Sequence, residues 1–388
     1  MYVKKIIFIL LITLMISGCG KNTDDKVENV TSTPDKNNVV TENNPTIDEK
    51  EPVITEVSGS GHFAALSEDG DVWMWGEYGM YQLADGAKPE TGQRQTIKSE
   101  PVKLQSIKKV KKIFCGGSAT YAIKRDGTVW AWGHNEKGAF GDGKDVTVKR
   151  PFRIEGLENI KQISAFMTPV LYLNENGTVK VSGNTYPEIT QIDGLTNVVK
   201  VSTGAGHFMI LKSDGTVWTW GSNFFGQLGD GTNTERHISS MVKVLDNAID
   251  IEAGLSNSFA IKEDKTVWAW GHNRHGELGN DEYGYEVSHN KPFMIEGLSD
   301  AKSISAQGSY TLVLKEDGTV WSFGDNYFGS LGDGTYESRS TPEKIESLSN
   351  VKQISAGTLA LALKEDGTVW YWGDEGALKS NVPVKMEF

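Results

Sequence analysis

Two glycine-rich stretches come nearest to known nucleotide-binding chemistry. Gly138–Lys144 has the glycine and lysine spacing of a phosphate-binding loop. The next position, which should hold the magnesium-binding serine or threonine, is Asp145, and no helix pattern follows it. Gly59–Ala64 has the glycine spacing of a dinucleotide-binding turn, again without a following helix. Neither stretch predicts a nucleotide site, and no cofactor is expected.

Candidate metal ligands and catalytic side chains are scattered. His272 and His275 offer two imidazoles, but no third ligand accompanies them, and zinc sites use at least three protein ligands. The loops at 230–235, 280–282 and 333–337 carry the oxygen ligands that calcium prefers, although ordinary turn chemistry explains their Asp-Gly pairs. No serine or histidine stands in a nucleophile–base arrangement. The sequence predicts no metal site and no catalytic residue, so an enzyme is not expected.

Cys19 is the residue whose surroundings predict a covalent modification. Two lysines precede an apolar segment, residues 6–16, that is too short for a membrane span of about 20 residues. The small residues directly before Cys19 resemble the processing site of bacterial lipoproteins. That resemblance implies removal of residues 1–18, lipid on the Cys19 thiol, and an exported protein anchored on the extracellular face of the cell membrane. A plain signal peptide or an uncleaved anchor, with an incidental cysteine, is the alternative.

The segment that follows Cys19 differs in composition from the rest of the chain. Residues 19–52 contain no aromatic side chain and are rich in charged and polar residues, which predicts a disordered tether. Residues 53–388 are long enough to bury a large core, and we expect them to form a monomer. The formal net charge of −12 would repel nucleic-acid phosphates, so no nucleic acid partner is expected.

An eight-residue motif organises the remaining chain. Its clearest copy, Asp214–Gly221, has the sequence Asp-Gly-Thr-Val-Trp-Thr-Trp-Gly. All eleven tryptophans lie in copies of this motif, two residues apart where there are two, so on a strand they point to one face. The motif therefore predicts tryptophan-rich cores between adjacent sheets. The seven copies, the third of them degenerate, start at Asp69, Asp126, Asn176, Asp214, Asp264, Asp317 and Asp366.

Each repeated unit holds about four short strand patterns and no helix-length amphipathic segment. Four-stranded sheets repeated radially form a β-propeller, so the sequence predicts an all-β, seven-bladed propeller. The third unit, residues 160–195, lacks both tryptophans and the Gly-Gln-Leu-Gly loop, and we expect its blade to be the most irregular. If the blade boundaries differ from those of the repeated unit, the proline-led strand at 383–386 would pair beside the first blade and close the ring, which is a hypothesis.

The repeated pattern resembles the repeat of the regulator-of-chromosome-condensation (RCC1) family. The clearest copy runs from Gly206-His-Phe to Gly226-Gln-Leu-Gly-Asp-Gly231, and the resemblance covers roughly residues 53–388. It implies a seven-bladed propeller. One eukaryotic branch of the family exchanges nucleotide on a small GTPase and binds chromatin, whereas a secreted bacterial branch inhibits β-lactamases through loops on one rim. Fold similarity does not choose between these functions.

The loop after each Trp-Gly pair varies at two positions from one unit to the next. Because these loops occupy one point in the repeat, the ring should gather them on one rim, where exposed aromatic and arginine side chains form protein-binding hot spots. The second residue of each pair is alternatively expected to pack against its own loop. The candidate protein-binding residues are Tyr78, Tyr81, Phe224, Phe225, Arg274, His275, Tyr327 and Phe328.

Together these features predict a surface-tethered, non-catalytic module whose rim loops bind an extracellular or surface protein. An enzyme inhibitor like the β-lactamase-inhibiting branch is one alternative, and a cell-wall or carbohydrate-binding module is another. Nucleotide exchange on a GTPase is disfavoured, because the export signal would separate the protein from such a partner.

Overall fold

Seven four-stranded antiparallel sheets make up the protein in the computed structural model, which describes residues 51–84 and 97–388. Each sheet takes four consecutive strands in sequence order, so the sheets are blades 1 to 7 of a propeller, as predicted. Two 3-10 turns, Glu136–Gly138 and Ile238–Ser240, lie between strands. The strands are β1 Ile54–Gly59, β2 His62–Ser67, β3 Val72–Glu77, β4 Ile97–Lys103, β5 Val110–Gly116, β6 Ala119–Lys124, β7 Val129–Asn135, β8 Val146–Arg153, β9 Ile160–Ser164, β10 Val170–Asn174, β11 Val179–Gly183, β12 Tyr186–Gln191, β13 Val198–Thr203, β14 His207–Lys212, β15 Val217–Gly221, β16 Val242–Leu245, β17 Ala248–Ala253, β18 Asn257–Lys262, β19 Val267–His272, β20 Ser288–Met294, β21 Ala301–Ala306, β22 Tyr310–Lys315, β23 Val320–Gly324, β24 Arg339–Lys344, β25 Val351–Ser355, β26 Leu359–Lys364, β27 Val369–Glu375 and β28 Leu378–Lys385.

The repeated motif folds as a hairpin turn held by its own side chains. In blade 4, Asp214 Oδ1 accepts hydrogen bonds from Thr216 N at 3.0 Å and from Thr216 Oγ1 at 2.6 Å. The Trp218 indole N–H then donates to Thr216 Oγ1 at 3.0 Å. Lys212 Nζ lies 4.7 Å from the centre of the Trp218 ring, a cation–π contact. The motif is therefore a local structural unit, and its tryptophan serves the fold.

The hydrophobic core is divided among the contacts between neighbouring blades. Met74 of blade 1 and Trp132 of blade 2 belong to one buried cluster. Trp75 of blade 1 and Leu361 of blade 7 belong to another. Each blade thus buries both faces of its sheet, which confirms the prediction that tryptophan-rich cores lie between adjacent sheets.

Blade 3 is a complete sheet although it lacks both tryptophans. In its register Ser182 stands where Trp132 stands in blade 2. The Ser182 hydroxyl and the Tyr172 hydroxyl both donate to Ala139 O of blade 2, at 2.6 Å and 3.0 Å. The predicted irregularity therefore lies in the connection rather than in the sheet, because a two-residue turn joins β11 directly to β12.

The expected closure of the ring by a strand at 383–386 is wrong. Residues up to Lys385 form β28, the outer strand of blade 7, which pairs with β27. The ring closes instead at the inner strands, where Val57 N donates to Gln353 Oε1 and Gly59 N donates to Ser355 Oγ, both at 3.0 Å. The C-terminal Phe388 packs edge-on against two tryptophans of blade 1, at 6.0 Å between ring centres.

Candidate protein-interaction rim

The loops between the third and fourth strands of the blades, called rim loops below, emerge at one edge of the ring because successive strands alternate in direction. Four of them are organised by a buried asparagine. In blade 4, Asn223 Oδ1 accepts the amide of Leu228 at 2.9 Å, and Asn223 Nδ2 donates to Thr232 O at 3.1 Å. The equivalent residues are Asn135, Asn273 and Asn326.

Five rim loops also rest on the blade that follows them. The carbonyl of Gln227 in blade 4 accepts the Trp270 indole N–H of blade 5 at 2.9 Å, and the carbonyl of Ser330 accepts that of Trp372 at 2.8 Å. The carbonyl of Glu277 accepts a hydroxyl of blade 6 instead. Each such carbonyl therefore fixes its loop to the neighbouring blade. The accepting carbonyls belong to Gln82, Ala139, Gln227, Glu277 and Ser330.

Four of the predicted site residues are exposed on this rim. Phe224 is 76% exposed, Tyr327 is 67% exposed and Phe328 is 48% exposed. Arg274 is also exposed, and its guanidinium carbon lies 5.0 Å from the centre of the Tyr285 ring. These residues belong to the rim loops of blades 4, 5 and 6.

The other four predicted residues, Tyr78, Tyr81, Phe225 and His275, are half-buried. The Phe225 ring lies 4.1 Å from that of His272 in blade 5, so it packs against the next blade as well as against Phe224. The second residue of a pair is therefore largely structural in blades 4 and 5. In blade 6 the second residue, Phe328, stays exposed.

Three exposed tyrosines on the same rim were missed from the sequence. Tyr283 is 72% exposed, Tyr285 is 69% exposed and Tyr336 is 50% exposed. They lie beyond the Gly-x-Leu-Gly core, where each loop has its own length and sequence and the repeat offers no alignment. An aromatic residue at the position where blade 4 has Asn233, which is Tyr283 in blade 5 and Tyr336 in blade 6, was the available signal.

Buried carboxyl groups lie beneath the rim. Burial raises the pKa of Glu277 to about 7, although its carboxylate accepts the His275 amide at 2.6 Å. Burial also raises the pKa of Glu375 to about 7; the hydrogen bond from Thr358 Oγ1, 3.0 Å long, opposes the shift and the nearby charge of Glu77 adds to it. Both carboxyls therefore titrate near neutral pH.

A second polar arrangement lines the inner strands and was also missed. Serine hydroxyls of one blade accept backbone amides of the next, in a ring that links neighbouring inner strands. The repeated pattern contains no feature that predicts a hydrogen-bonding role for these serines. The accepting and donating pairs are Ser58 with Cys115, Ser164 with Thr203, Ser202 with Ala253, Ser305 with Ala356 and Ser355 with Gly59, at 2.8 to 3.0 Å.

Residues 51–84 and 97–388 contain neither a metal-binding cluster nor a membrane-spanning helix. No three His, Cys, Asp or Glu side chains of this part of the chain converge closely enough to hold a metal ion. None of its helices has the length and apolar character needed to cross a membrane.

Seven four-stranded sheets in a ring, with rigid blades and variable rim loops, define a repeat β-propeller that presents loops from a scaffold. The sequence matches the regulator of chromosome condensation (RCC1) repeat at residues 69–123, 126–165, 214–261, 264–314 and 317–359, more than half of the chain. A second description of the same repeat matches residues 110–139, 198–227, 248–277 and 301–330. The chain belongs to the RCC1 repeat family, as the resemblance implied.

Two relatives match this chain over part of their own length. The chain is 30% identical over 198 residues to the human E3 ubiquitin-protein ligase HERC2, covering 46% of this chain and 4% of that protein. It is 28% identical over 208 residues to the ultraviolet-B receptor UVR8 of Arabidopsis thaliana, covering 48% of this chain and 45% of the receptor. The chain therefore spans less than half the length of these relatives.

Solved structures show the same fold. Human WBSCR16 superposes with a TM-score of 0.69 at 22% identity, covering 82% of this chain and 94% of that one. Prp20p of Saccharomyces cerevisiae, described with its binding to Gsp1p and histones, superposes with a TM-score of 0.71 at 20% identity, covering 87% and 86%. At these identities the likeness concerns the fold alone.

Proposed function

We propose that this propeller is a non-catalytic protein-binding module that uses the rim loops of blades 4, 5 and 6. One observation carries the proposal. In residues 51–84 and 97–388, every exposed phenylalanine, tyrosine or tryptophan lies in one of these three loops. We call this surface the aromatic rim. Its members are Phe224, Tyr283, Tyr285, Tyr327, Phe328 and Tyr336.

The chemistry of the aromatic rim supports a protein partner. Exposed aromatic side chains are costly to leave in water and are enriched where proteins bind one another. Arg274, stacked on Tyr285, adds a second residue type typical of hot spots. The loops that carry these residues are held by buried asparagines and by the next blade, so binding would order little additional chain.

The partner is proposed to be an extracellular or surface protein, since the Cys19 pattern supports export and lipid anchoring. Cys19 and the tether up to residue 50 lie outside the described residues. Growing cells with labelled fatty acid would test the anchor: the wild-type protein should be labelled and should sediment with membranes. The Cys19→Ser variant should lose both properties. Equal sedimentation of the two proteins would overturn the anchor.

A capture experiment tests the aromatic rim. Residues 20–388, wild type or Phe224→Ala/Tyr327→Ala, would be immobilised and exposed to surface and secreted proteins, with β-lactamases added. Loss of two hot-spot side chains should weaken the affinity for a partner by about 30-fold or more. A matched control is Val199→Ala/Ile249→Ala. These side chains are 42% and 41% exposed, and they lie at the edge of the ring opposite the aromatic rim.

Three outcomes are distinguishable. A protein kept by the wild type and the control but lost by the rim variant supports the proposal, and a retained β-lactamase would make the module an enzyme inhibitor. Equal retention by all three proteins would move the site away from the aromatic rim. Retention of glycans or cell-wall fragments instead of any protein would favour a carbohydrate-binding module.

A further inference from the structure

The rim loops follow a rule that one junction breaks. In four blades, 1, 2, 5 and 6, the loop places an aliphatic or aromatic side chain into the core it shares with the next blade. Leu83 packs with Trp132 in this way, and Leu331 packs with Trp372. Blade 7 has a shortened loop, but Leu378 still joins the cluster that contains Trp75. A leucine seated on the next blade's aromatic residue is therefore part of the repeat.

At the junction of blades 3 and 4 that side chain is missing. Blade 3 has no rim loop, so the cluster around Phe208 and Trp220 receives no leucine from it. These two rings stack at 5.3 Å and form the floor of a notch of about 260 Å³. Leu171, Val181 and the exposed Thr185 also line the notch, and so does Ile238, which packs against the same cluster.

The indole nitrogen of Trp220 is also left without its usual partner. Among the equivalent tryptophans, Trp132, Trp270 and Trp372 donate to a carbonyl of the preceding rim loop, whereas Trp75, which follows the shortened loop of blade 7, is buried without a partner among the described residues. Trp220 Nε1 donates to no atom of residues 51–84 and 97–388. The notch therefore offers an apolar floor and one hydrogen-bond donor, the two features that the chain's own loops satisfy elsewhere.

We propose that the notch receives a tight loop of the partner protein, with an aliphatic side chain on Phe208 and Trp220 and a backbone carbonyl accepting the Trp220 indole N–H. The inference rests on the proposed function and names the feature by which a partner is recognised. The chain supplies the template for the occupant, since Gly226-Gln-Leu-Gly229 accepts the Trp270 indole N–H at the Gln227 carbonyl and buries the Leu228 side chain. The notch opens on the same edge of the ring as the rim loop that carries Phe224, so one partner could engage both.

A cyclised peptide copying residues 223–230 is the probe. Residues 20–388 labelled with ¹⁵N-tryptophan give one indole signal per tryptophan, and Trp220→Phe identifies the signal of Trp220. The peptide should shift the Trp220 signal saturably. The same peptide with Leu228→Asp should bind at least about tenfold more weakly, because the buried leucine side chain is lost.

Two tryptophan substitutions, one in the turn before β12 and one on β12, distinguish blocking of the notch from the general effect of adding a surface tryptophan. Thr185→Trp places a large side chain in the lining of the notch and should abolish the shift of Trp220. Thr190 lies on β12, is also exposed and does not line the notch, so the Thr190→Trp variant should bind the peptide as the wild type does. Unfolding curves of both variants would show that each is folded.

The inference fails if the peptide leaves Trp220 unshifted, or if Thr185→Trp and Thr190→Trp respond alike. The results that would reject the notch differ from those that would reject the proposed function. A partner that is lost by Phe224→Ala/Tyr327→Ala but retained by Thr185→Trp would keep the aromatic rim and overturn the notch. A shifted Trp220 signal with no protein captured by the wild type would keep the notch and overturn the aromatic rim.

Discussion

Aromatic residues at neighbouring positions of the repeat have different roles in this protein, and the environment of each residue distinguishes them. Trp218 is half-exposed beneath Lys212, whereas Trp270 is buried and donates to a rim-loop carbonyl. The same holds in the rim loops, where Phe224 faces solvent and Phe225 packs on His272. A residue's role here follows from what the neighbouring blade places against it.

Buried histidines make stability depend on pH at the scale of single residues. His62 is fully buried, its Nε2 lies 2.7 Å from Thr120 Oγ1, and burial lowers its pKa from 6.5 to about 3. Below pH 6.5 the unfolded chain takes up a proton that the folded chain does not. The histidine therefore stabilises the fold fully above pH 6.5, and this contribution falls by about 1.4 kcal/mol per pH unit toward pH 3.

Replacing this histidine should flatten the pH dependence. In blade 5 Asn257 takes the position of His62, so His62→Asn uses a residue that the repeat already accommodates. Between pH 6 and pH 4 the variant should lose less unfolding free energy than the wild type does, measured by urea unfolding at each pH. His237→Asn, at an exposed position, should match the wild type. Parallel pH profiles for all three proteins would contradict the assignment.

At the scale of elements, a rim loop is held by the blade that follows it. Gly229 has a φ of +74°, and a Cβ there would lie 2.7 Å from Trp270 Nε1. Gly229→Ala should therefore lower the unfolding free energy by about 1–3 kcal/mol and shift the Trp270 indole signal. Gly231→Ala is the matched control, since its φ is +81° but a Cβ there meets the flexible end of Lys291. Equal losses in the two variants would mean that backbone strain alone explains the effect.

The Asp-Gly turn of blade 5 contains lysine instead of glycine and keeps the same conformation. Lys265 has a φ of +66°, where a side chain costs roughly 1 kcal/mol. Lys265→Gly should be more stable than Lys265→Ala by about 0.5–1 kcal/mol, measured as the difference in unfolding free energy. Both variants lose the exposed ion pair with Glu316, so the comparison isolates the backbone. A more stable alanine variant would contradict the argument.

The sequence predicted the blades because their determinants are local, and it missed what depends on contacts between blades. The motif at Asp214 contains the whole turn, so its seven copies predicted seven hairpins. The hypothesis about ring closure was wrong because the position of the last strand depends on where a sheet begins within the repeat. The motif alone does not specify that starting point. Tyr283 and Tyr285 were missed because the length and sequence of the loop beyond Gly279 differ from those of the other units.

At the scale of the whole molecule, the chain crosses six junctions of the ring. The seventh is joined by side-chain hydrogen bonds, by packing and by a backbone hydrogen bond from Thr358 N to Ser60 O, 2.8 Å long. The closing junction between blades 7 and 1 depends on Gln353, whose amide accepts Val57 N and donates to Val57 O at 2.9 Å. Gln162 makes the same pair of bonds with Val201 across the junction of blades 3 and 4. The same two hydrogen bonds therefore occur at the junction that the chain does not cross and at one that it does. Comparing the two junctions measures the effect of ring closure.

Gln353→Ala and Gln162→Ala should each remove two hydrogen bonds, at a cost of about 1–3 kcal/mol in unfolding free energy. Their local consequences should differ, because blades 3 and 4 remain joined by the chain when their side-chain bonds are lost, whereas blades 7 and 1 do not. Hydrogen exchange should therefore accelerate throughout blades 1 and 7 in Gln353→Ala and stay confined to the inner strands in Gln162→Ala. Exchange that accelerates equally around the ring in both variants would show that the propeller opens as one unit, and the closing junction would then be no weaker than the others.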